Sequence, residues 1–270
     1  MKILMTGAAG ALARRLRPHF ASLGWEQVLL DRAGTDDPAI LAADLAQWGS
    51  WTDAFSGADV VVHLAGDPRP SATWASVQAN NIDATLNVYG AAVRAGVKRV
   101  VFASSNWVLA GHRFGTAPLE AATEPYPVNA YGAAKLFAER LGRAWADIHG
   151  ISTIALRIGY CQRDHANQPG THMGWGLWGQ RMWLSDRDLC QGFEKSVLAP
   201  ASLRFGVFNL VSSNEGMRWR LDDARDAMGY IPADHSVPQE TAPMAEETEA
   251  ALRSRRMIEA AEALVTRRRW

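Results

Sequence analysis

The chain has 270 residues, 48% of them apolar, and its 28 basic side chains match 28 acidic ones, so the formal net charge is zero. That length supports one large domain, or a core with a lobe, and buries roughly three quarters of the unfolded surface, so neither a disulfide nor a structural metal is needed. The balanced charge removes the electrostatic footprint of a nucleic-acid binder, and no apolar run approaches the roughly 20 residues of a membrane span. Cys161 and Cys190 form neither a CxxC pair nor a disulfide framework, and the opening MKILMTGAAG is too short and glycine-rich for a signal peptide. A reducing, cytoplasmic compartment is therefore expected.

Lys2 to Thr6 is a short apolar run broken by Gly7, and a helical pattern containing Leu12, Leu16 and Phe20 follows it. Gln27 to Leu30 is a second strand, ending at Asp31, and Asp59 to Gly66 is a third, continuously apolar in its middle. Continuous rather than alternating runs indicate strands covered on both faces. Ala75 to Gly96 reads as helix, VKRVVFASS as a strand ending at Ser104 and Ser105, Tyr131 to His149 as helix, and STIALRIG as a further strand. This alternation specifies an α/β fold with a doubly wound parallel sheet over residues 1–159. After Gly159 the texture changes. Cys161 to Gln180 is rich in Gly, Trp, His and Gln without a period, which predicts a smaller substrate-binding lobe over residues 160–270, with the strand Phe205 to Val211 returning to the sheet. Ala245 to Arg269 reads as an exposed helix for surface packing or subunit contact, with TRRRW as its solvated basic end.

The segment Thr6 to Ala13, TGAAGALA, lies between the first strand and first helix, where backbone amides and the helix dipole meet an anionic pyrophosphate. Gly7 permits the tight turn, Gly10 permits close approach, and Ala9, Ala11 and Leu12 complete the cradle. Asp31 stands 21 residues after Gly10, the spacing of the acidic residue that binds ribose hydroxyls in a Rossmann unit. Its carboxylate favours NAD and repels a 2′-phosphate. Arg32, one residue on, carries a guanidinium able to reach such a phosphate, which keeps NADP as the lesser alternative.

Two further signals concern chemistry: Ser104 and Ser105 at the end of a strand, and YGAAK, with Tyr131 and Lys135 four apart on one helix face. An ammonium beside a phenol stabilises the phenolate, and that predicts a lowered Tyr131 pKa and a general base. With TGAAGALA, DVVVHLAG, NIDATLNVYGAAVRAGVKRVVFASS, YGAAK and LRIG, the chain resembles the extended short-chain dehydrogenase/reductase, or NAD-dependent epimerase/dehydratase, family over about residues 1 to 230. Through VVFASSN, LRIGYC, WLSDRDL, FNLVSSN and AMGYIPAD it looks closest to the uronate dehydrogenases and their relatives that oxidise an aldose at its anomeric carbon.

That resemblance implies catalytic Ser105, Tyr131 and Lys135, with Ser104 as their packing neighbour. It implies Asp44 and Leu45 beside the adenine, Leu64, Ala65 and Gly66 on the nicotinamide side, and Asn81 supporting the pocket, with Tyr131, Lys135 and Ile158 also at the cofactor. Gly66, Asp67, Ser105, Asn106, Trp107 and Tyr131 would face the substrate. The chain departs from the uronate pattern at Trp107, where a histidine is usual, and at Tyr160, where a serine is usual. The carboxylate-binding arginine is matched only loosely by Arg163 or Arg181, inside the Gly/Trp/His-rich segment that also carries His172. Substrate choice is therefore expected in Trp107, Tyr160 and residues 163–181.

His63, inside an apolar strand, reads as a packed core histidine. His112, His165 and His172 lack compact ligand spacing, so no catalytic metal is expected. Trp175, Trp178 and Trp183 fit an apolar helix face and a sugar-binding wall equally well. The resulting expectation is a homo-oligomeric, NAD-dependent sugar dehydrogenase that takes the anomeric hydride of a cyclic aldose, acidic or neutral, and gives a lactone. Subunits would meet through the helices around Asp83 to Ala95 and Tyr131 to His149. The alternatives are an NAD(P)H-dependent carbonyl reductase, a sugar epimerase or dehydratase of the same fold, and a nucleotide sensor, which has no need of Ser105, Tyr131 and Lys135.

Overall fold

The computed structural model describes residues 1–32 and 36–267, so residues 268–270 of the basic tail lie outside the described residues. The chain runs through β1 (Lys2–Thr6), α1 (Ala13–Ser22), β2 (Glu26–Asp31), β3 (Ile40–Ala42), β4 (Val60–His63), α2 (Trp74–Val77), α3 (Ala84–Arg94) and β5 (Arg99–Ser105). It continues through α4 (Ala130–His149), β6 (Ser152–Ile158), α5 (Gly176–Arg181), α6 (Asp186–Val197), β7 (Phe205–Leu210), α7 (Asp222–Met228) and α8 (Ala242–Arg267). The strands form one sheet of seven in the order β3-β2-β1-β4-β5-β6-β7, and every pairing is parallel.

The continuous apolar runs follow from this topology. Ile3, Met5, Val60, Val62 and Val101 pack under Leu16, Phe20, Leu189 and Phe193 on one face, while Leu4, Leu30, Val61 and Val100 pack under Val88 and Tyr89 on the other. Each residue of such a strand is buried whichever way it points. β7 pairs with β6 from Thr153↔Phe205 to Ile158↔Leu210, so the returning strand extends the sheet at its far edge. Cys161 and Cys190 are free thiols that burial pushes up to about 12 and about 11, far from a reactive range. Among the described residues, no helix is long and apolar enough to cross a membrane.

Three features depart from the sequence reading. The helix expected from Ala75 to Gly96 runs from Trp74 to Arg94 and changes to π geometry over Gln78–Asp83. β3, three residues long with only Ile40 buried, has too little pattern to be recognised. Two helices, α6 and α7, stand in the second half, and the terminal helix begins at Ala242 rather than Ala245. Ser185 caps α6 by accepting a bond from the Asp188 amide at 3.0 Å.

Arg99, buried at the start of β5, ties α6 to the sheet. It donates to the carbonyls of Ser196, Val197, Ala199 and Pro200 and to Ser152 Oγ, satisfying carbonyls that the helix end leaves open. Removing one side of a buried charged network strands its partners. Arg99→Met is therefore expected to lower unfolding stability by about 3 kcal/mol in a urea titration, and a loss under about 1 kcal/mol would show that water serves those carbonyls equally well.

Candidate active site

The strand order reverses direction between β1 and β4, and the loops that follow those two strands bound the crevice where α/β sheets hold nucleotides. Gly7 adopts φ +72°, and a Cβ there would stand 2.7 Å from the Ala65 nitrogen, so both the turn and the apposition of the two loops require glycine. The Gly10 amide donates to the Gly7 carbonyl at 3.0 Å. A Cβ on Gly10 would meet only that carbonyl, so its outer side is open. Arg15 from α1 closes back on the Ala11 carbonyl at 2.7 Å, and Leu12 packs on the core.

Asp31, at the end of β2, accepts from the Ala9 amide at 2.8 Å and from the Arg32 amide at 2.7 Å, which fixes its carboxylate beside the turn. Arg32 reaches across to Asn80 Oδ1 at 3.3 Å. Exposed Asp44 and buried Leu45 follow β3, with the Leu45 carbonyl taking a bond from Asn87. An open glycine cradle, a carboxylate at the next strand end and a switch point between them fit a dinucleotide.

A directed chain of hydrogen bonds joins the two loops. The Ala65 amide donates to Thr6 Oγ1 at 3.3 Å, and Thr6 Oγ1 lies 2.7 Å from His63 Nδ1. His63 Nε2 lies 3.1 Å from Thr85 Oγ1, which donates to the Asn81 carbonyl at 2.6 Å. Because the Thr85 hydroxyl proton is committed, Nε2 carries the ring proton and Nδ1 accepts from Thr6. The Asn81 side chain, within the π segment, accepts from the Asp67 amide at 2.9 Å and donates to the Asp67 carbonyl at 3.1 Å. Gly66 and Asp67 are thereby held by the helix itself.

Asn129 caps α4 by accepting from the Gly132 amide at 2.8 Å. A Cβ on Gly132 would stand 2.6 Å from the Trp107 carbonyl, so only glycine lets α4 begin against the 3-10 turn that follows β5. Tyr131 and Lys135, one turn apart, are both buried, and Ser105 pairs with Ile158 at the ends of β5 and β6. Lys135 Nζ donates to the Ala103 carbonyl at 2.7 Å and lies 4.7 Å from the Phe102 ring centre and 5.7 Å from that of Tyr131. Burial pushes its ammonium down to about 8, against the pull of Glu139. The Tyr131 phenol departs from the sequence expectation: burial raises it above its ordinary value, the hydrogen bond with Ser105 lowers it, and the Asp67 carboxylate raises it further. Desolvation is the largest cause, and the lowering expected from Lys135 is not among the effects acting on the phenol.

On the open side, Asp67 is already engaged. It accepts from Arg69 Nε at 2.9 Å, Arg69 Nη2 at 2.6 Å and Ser76 Oγ at 2.6 Å, and the Arg69 hydrogen bond holds its carboxyl well below the usual range. Asn106 donates to the Arg157 carbonyl at 3.1 Å, which fixes its amide and leaves Oδ1 buried without a partner. Trp107 and Tyr160 each meet Trp175 at 5.2 Å between ring centres, and Trp175 holds a left-handed φ of +66° with its carbonyl bonded to Arg113. The three tryptophans divide: Trp178 packs on Trp219, Trp183 bridges the Tyr160 backbone and donates to the Asn167 carbonyl, and of the three it is the Trp175 ring that meets the Trp107 and Tyr160 rings.

Arg163 is exposed, and exposed His172 stacks on His165 at 4.0 Å and bonds the Gln168 carbonyl. Arg181 packs on Gly216, with its Nε buried and unpartnered and with Arg218 near enough to feel its charge. The contacts described for these three do not include Ser105 or Tyr131. Sequence reasoning missed Arg69 and Ser76, which capture Asp67, and the buried Arg157–Glu139 pair behind Lys135. The PRPS run after Asp67 held the only cue to the first, and nothing in sequence separation marks the second.

Fold and site together define a dinucleotide-binding α/β protein with a Ser, Tyr and Lys set at the ends of its central strands. Residues 3–165 match the NAD dependent epimerase/dehydratase family. The chain is similar to the NAD-dependent glucose-6-phosphate dehydrogenase of Haloferax volcanii, with 33% identity over 258 residues covering 87% of this chain and 94% of that one. It is also similar to the L-arabinose 1-dehydrogenase (NAD(P)(+)) of the same organism, with 35% identity covering 87% and 98%. A solved structure of a mutated uronate dehydrogenase superposes with a TM-score of 0.73 at 30% identity, covering 92% of this chain and 86% of that chain. The chain belongs to the NAD dependent epimerase/dehydratase family.

Burial pushes His63 down to about 3, so it stays neutral in the fold, whereas an unfolded histidine binds its proton near 6.5. Below that pH the unfolded chain takes up a proton that the folded one refuses, and stability falls as pH drops toward 3. The expected loss from this residue at pH 5 is about 2 kcal/mol, read as the difference between the urea titrations of wild type and His63→Gln at pH 7 and pH 5. Equal losses in both proteins would contradict the buried neutral assignment.

Proposed function

We propose that the protein is an NAD-dependent aldose dehydrogenase that removes the anomeric hydride of a cyclic sugar and forms a lactone. The observation that carries this reading is the burial of Tyr131, Ser105 and Lys135 together at the end of the central strands, with the Lys135 ammonium 5.7 Å from the centre of the Tyr131 ring. Ser105 holds the reacting oxygen. Tyr131, as phenolate, takes the proton of the C1 hydroxyl while the C1–H electron pair leaves as hydride, and the C1–O bond becomes a carbonyl. When bound, NAD supplies the hydride acceptor and a positively charged nicotinamide ring, which favours the phenolate. Lys135 adds its own charge and anchors the pair through the Ala103 carbonyl.

Trp107, Trp175 and Tyr160 form an aromatic wall suited to the C–H face of a pyranose or furanose ring. The relatives, named for glucose 6-phosphate, L-arabinose and uronate, share an aldose and differ in its charge. We read residues 160–270 as the substrate-binding part, with any anionic group of the sugar falling to Arg163, His172 or Arg181, and residues 1–159 as the cofactor-binding part. The exposed apolar side chains of Leu86 on α3 and of Phe137 and Ile148 on α4 support a homo-oligomeric contact across those helices, and the two free thiols support action in the cytoplasm.

The test is a panel of neutral aldoses, uronates and sugar phosphates, followed by nicotinamide reduction. Wild type is expected to oxidise at least one of them, and Tyr131→Phe to lower turnover by roughly 100-fold with little change in NAD affinity. Near-normal turnover in that variant would overturn the assignment. Asp31 favours NAD, and Arg32 is drawn toward Asn80. Asp31→Ala is expected to weaken NAD use and narrow the NAD-to-NADP ratio by roughly tenfold, whereas a wild-type preference for NADP would assign recognition to Arg32.

A further inference from the structure

Behind the Tyr131–Lys135 pair lies a polar cluster sealed from solvent. Glu139, the next residue on the same stripe of α4, is 2% exposed and Arg157 on β6 is 3% exposed. Arg157 donates from Nε to Glu139 Oε1 at 3.0 Å and from Nη2 to Oε2 at 2.9 Å, in the planar two-point geometry peculiar to arginine. Ser104 Oγ donates to Oε1 at 2.6 Å, so the serine expected only to pack holds this carboxylate. The remaining Arg157 donors include Nη1, bonded to the Ala121 carbonyl, and the Arg157 carbonyl receives Asn106 Nδ2. One carboxylate thus connects α4, β5 and β6 at the level where Ser105, Asn106 and Lys135 stand.

The charged and titratable groups around Lys135 come from every element packed on it. Tyr131 and Glu139 share its helix, neutral His63 faces it from β4, Arg157 stands on β6, and Asp67 lies in the loop after β4. Of these, Glu139 lies one turn from Lys135 on the buried stripe of α4, paired with Arg157, whereas Asp67 stands in the loop after β4, paired with Arg69. We propose that Glu139 is a positioning residue for the reaction: gripped by Arg157 and Ser104, its carboxylate is the interior counter-charge of the Lys135 ammonium and fixes the side of α4 that carries Tyr131. The link to turnover rests on the function proposed above, whereas the counter-charge itself is a property of the protein alone.

The test is an NMR titration of the Lys135 side-chain nitrogen in protein labelled with ¹⁵N-lysine, assigned with Lys135→Met, in wild type, Glu139→Gln and Glu139→Asp. Gln keeps acceptor and shape without charge, and Asp keeps the charge on a shorter stem. The Lys135 midpoint is expected to fall by roughly one unit, a tenfold loss of proton affinity, in Glu139→Gln, and by less than half of that in Glu139→Asp. The alkaline limb of kcat should move the same way, with KM for the sugar little changed. An unchanged midpoint in folded Glu139→Gln would overturn the proposal, as would equal shifts in both variants, which would mark a packing role. Should Glu139→Gln fail to fold, a fall of one unit or more in Glu139→Asp, which keeps the charge, overturns it. A shifted midpoint in an enzyme that oxidises no aldose would leave the counter-charge standing and reject the proposed function instead.

Discussion

The burial of one ammonium group constrains the centre of this molecule. Removing a charge from water costs several kcal/mol unless polar groups replace the hydration shell, and Lys135 has few protein replacements: the Ala103 carbonyl, the Phe102 ring and the field of Glu139. Each depends on a different layer. The carbonyl requires α4 to lie across the end of β5, the ring requires Phe102 to face the same side of the sheet, and the carboxylate requires Arg157 to arrive on β6 in register with Ser104. The sheet order that puts β4, β5 and β6 side by side is thus also the order that makes a buried lysine tolerable.

The same economy of position governs the crevice. The glycine turn after β1 and the loop after β4 are held at a backbone separation that excludes a Cβ at Gly7, and the Thr6–His63–Thr85 chain sets how the helix with the π segment meets them. The single orientation of that chain follows from donors and acceptors that each have one partner available. A neutral histidine serves this purpose because it can accept on one side and donate on the other at once. The side proposed for the substrate is built differently, from the Trp107, Trp175 and Tyr160 rings and from Arg113 bonded to the Trp175 carbonyl.

The sequence was most readable where chemistry imposes spacing. Tyr131 and Lys135 stand four apart, Asp31 ends the strand after the glycine turn, and the apolar runs of β1, β4, β5 and β6 are long enough to show double-sided burial. Legibility failed where an ordinary residue acquires its meaning from a distant partner. Glu139 continues the Tyr131–Lys135 stripe, yet a glutamate on an amphipathic helix reads as solvated until Arg157, 18 residues on, is seen against it. Asp67 was expected to face the ligand through the family resemblance, and nothing local showed that Arg69 would fold back onto it. Trp175 could be separated from Trp178 and Trp183 only by its left-handed backbone, which sequence periodicity cannot express. The π segment was hidden for a related reason, because Asn81 looks like a helical residue until its side chain is found on the Asp67 backbone.

The reaction proposed for this site is transfer of the C1 hydrogen of an aldose with its electron pair, while Tyr131 receives the hydroxyl proton. Incubating the protein with NAD and an oxidisable aldose carrying deuterium at C1, then locating the label by mass spectrometry and NMR, tests that directly. The account predicts one deuterium on C4 of the reduced nicotinamide for each lactone formed. Deuterium retained in a sugar of altered configuration, with no reduced nicotinamide accumulating, would contradict it and assign the site to epimerisation.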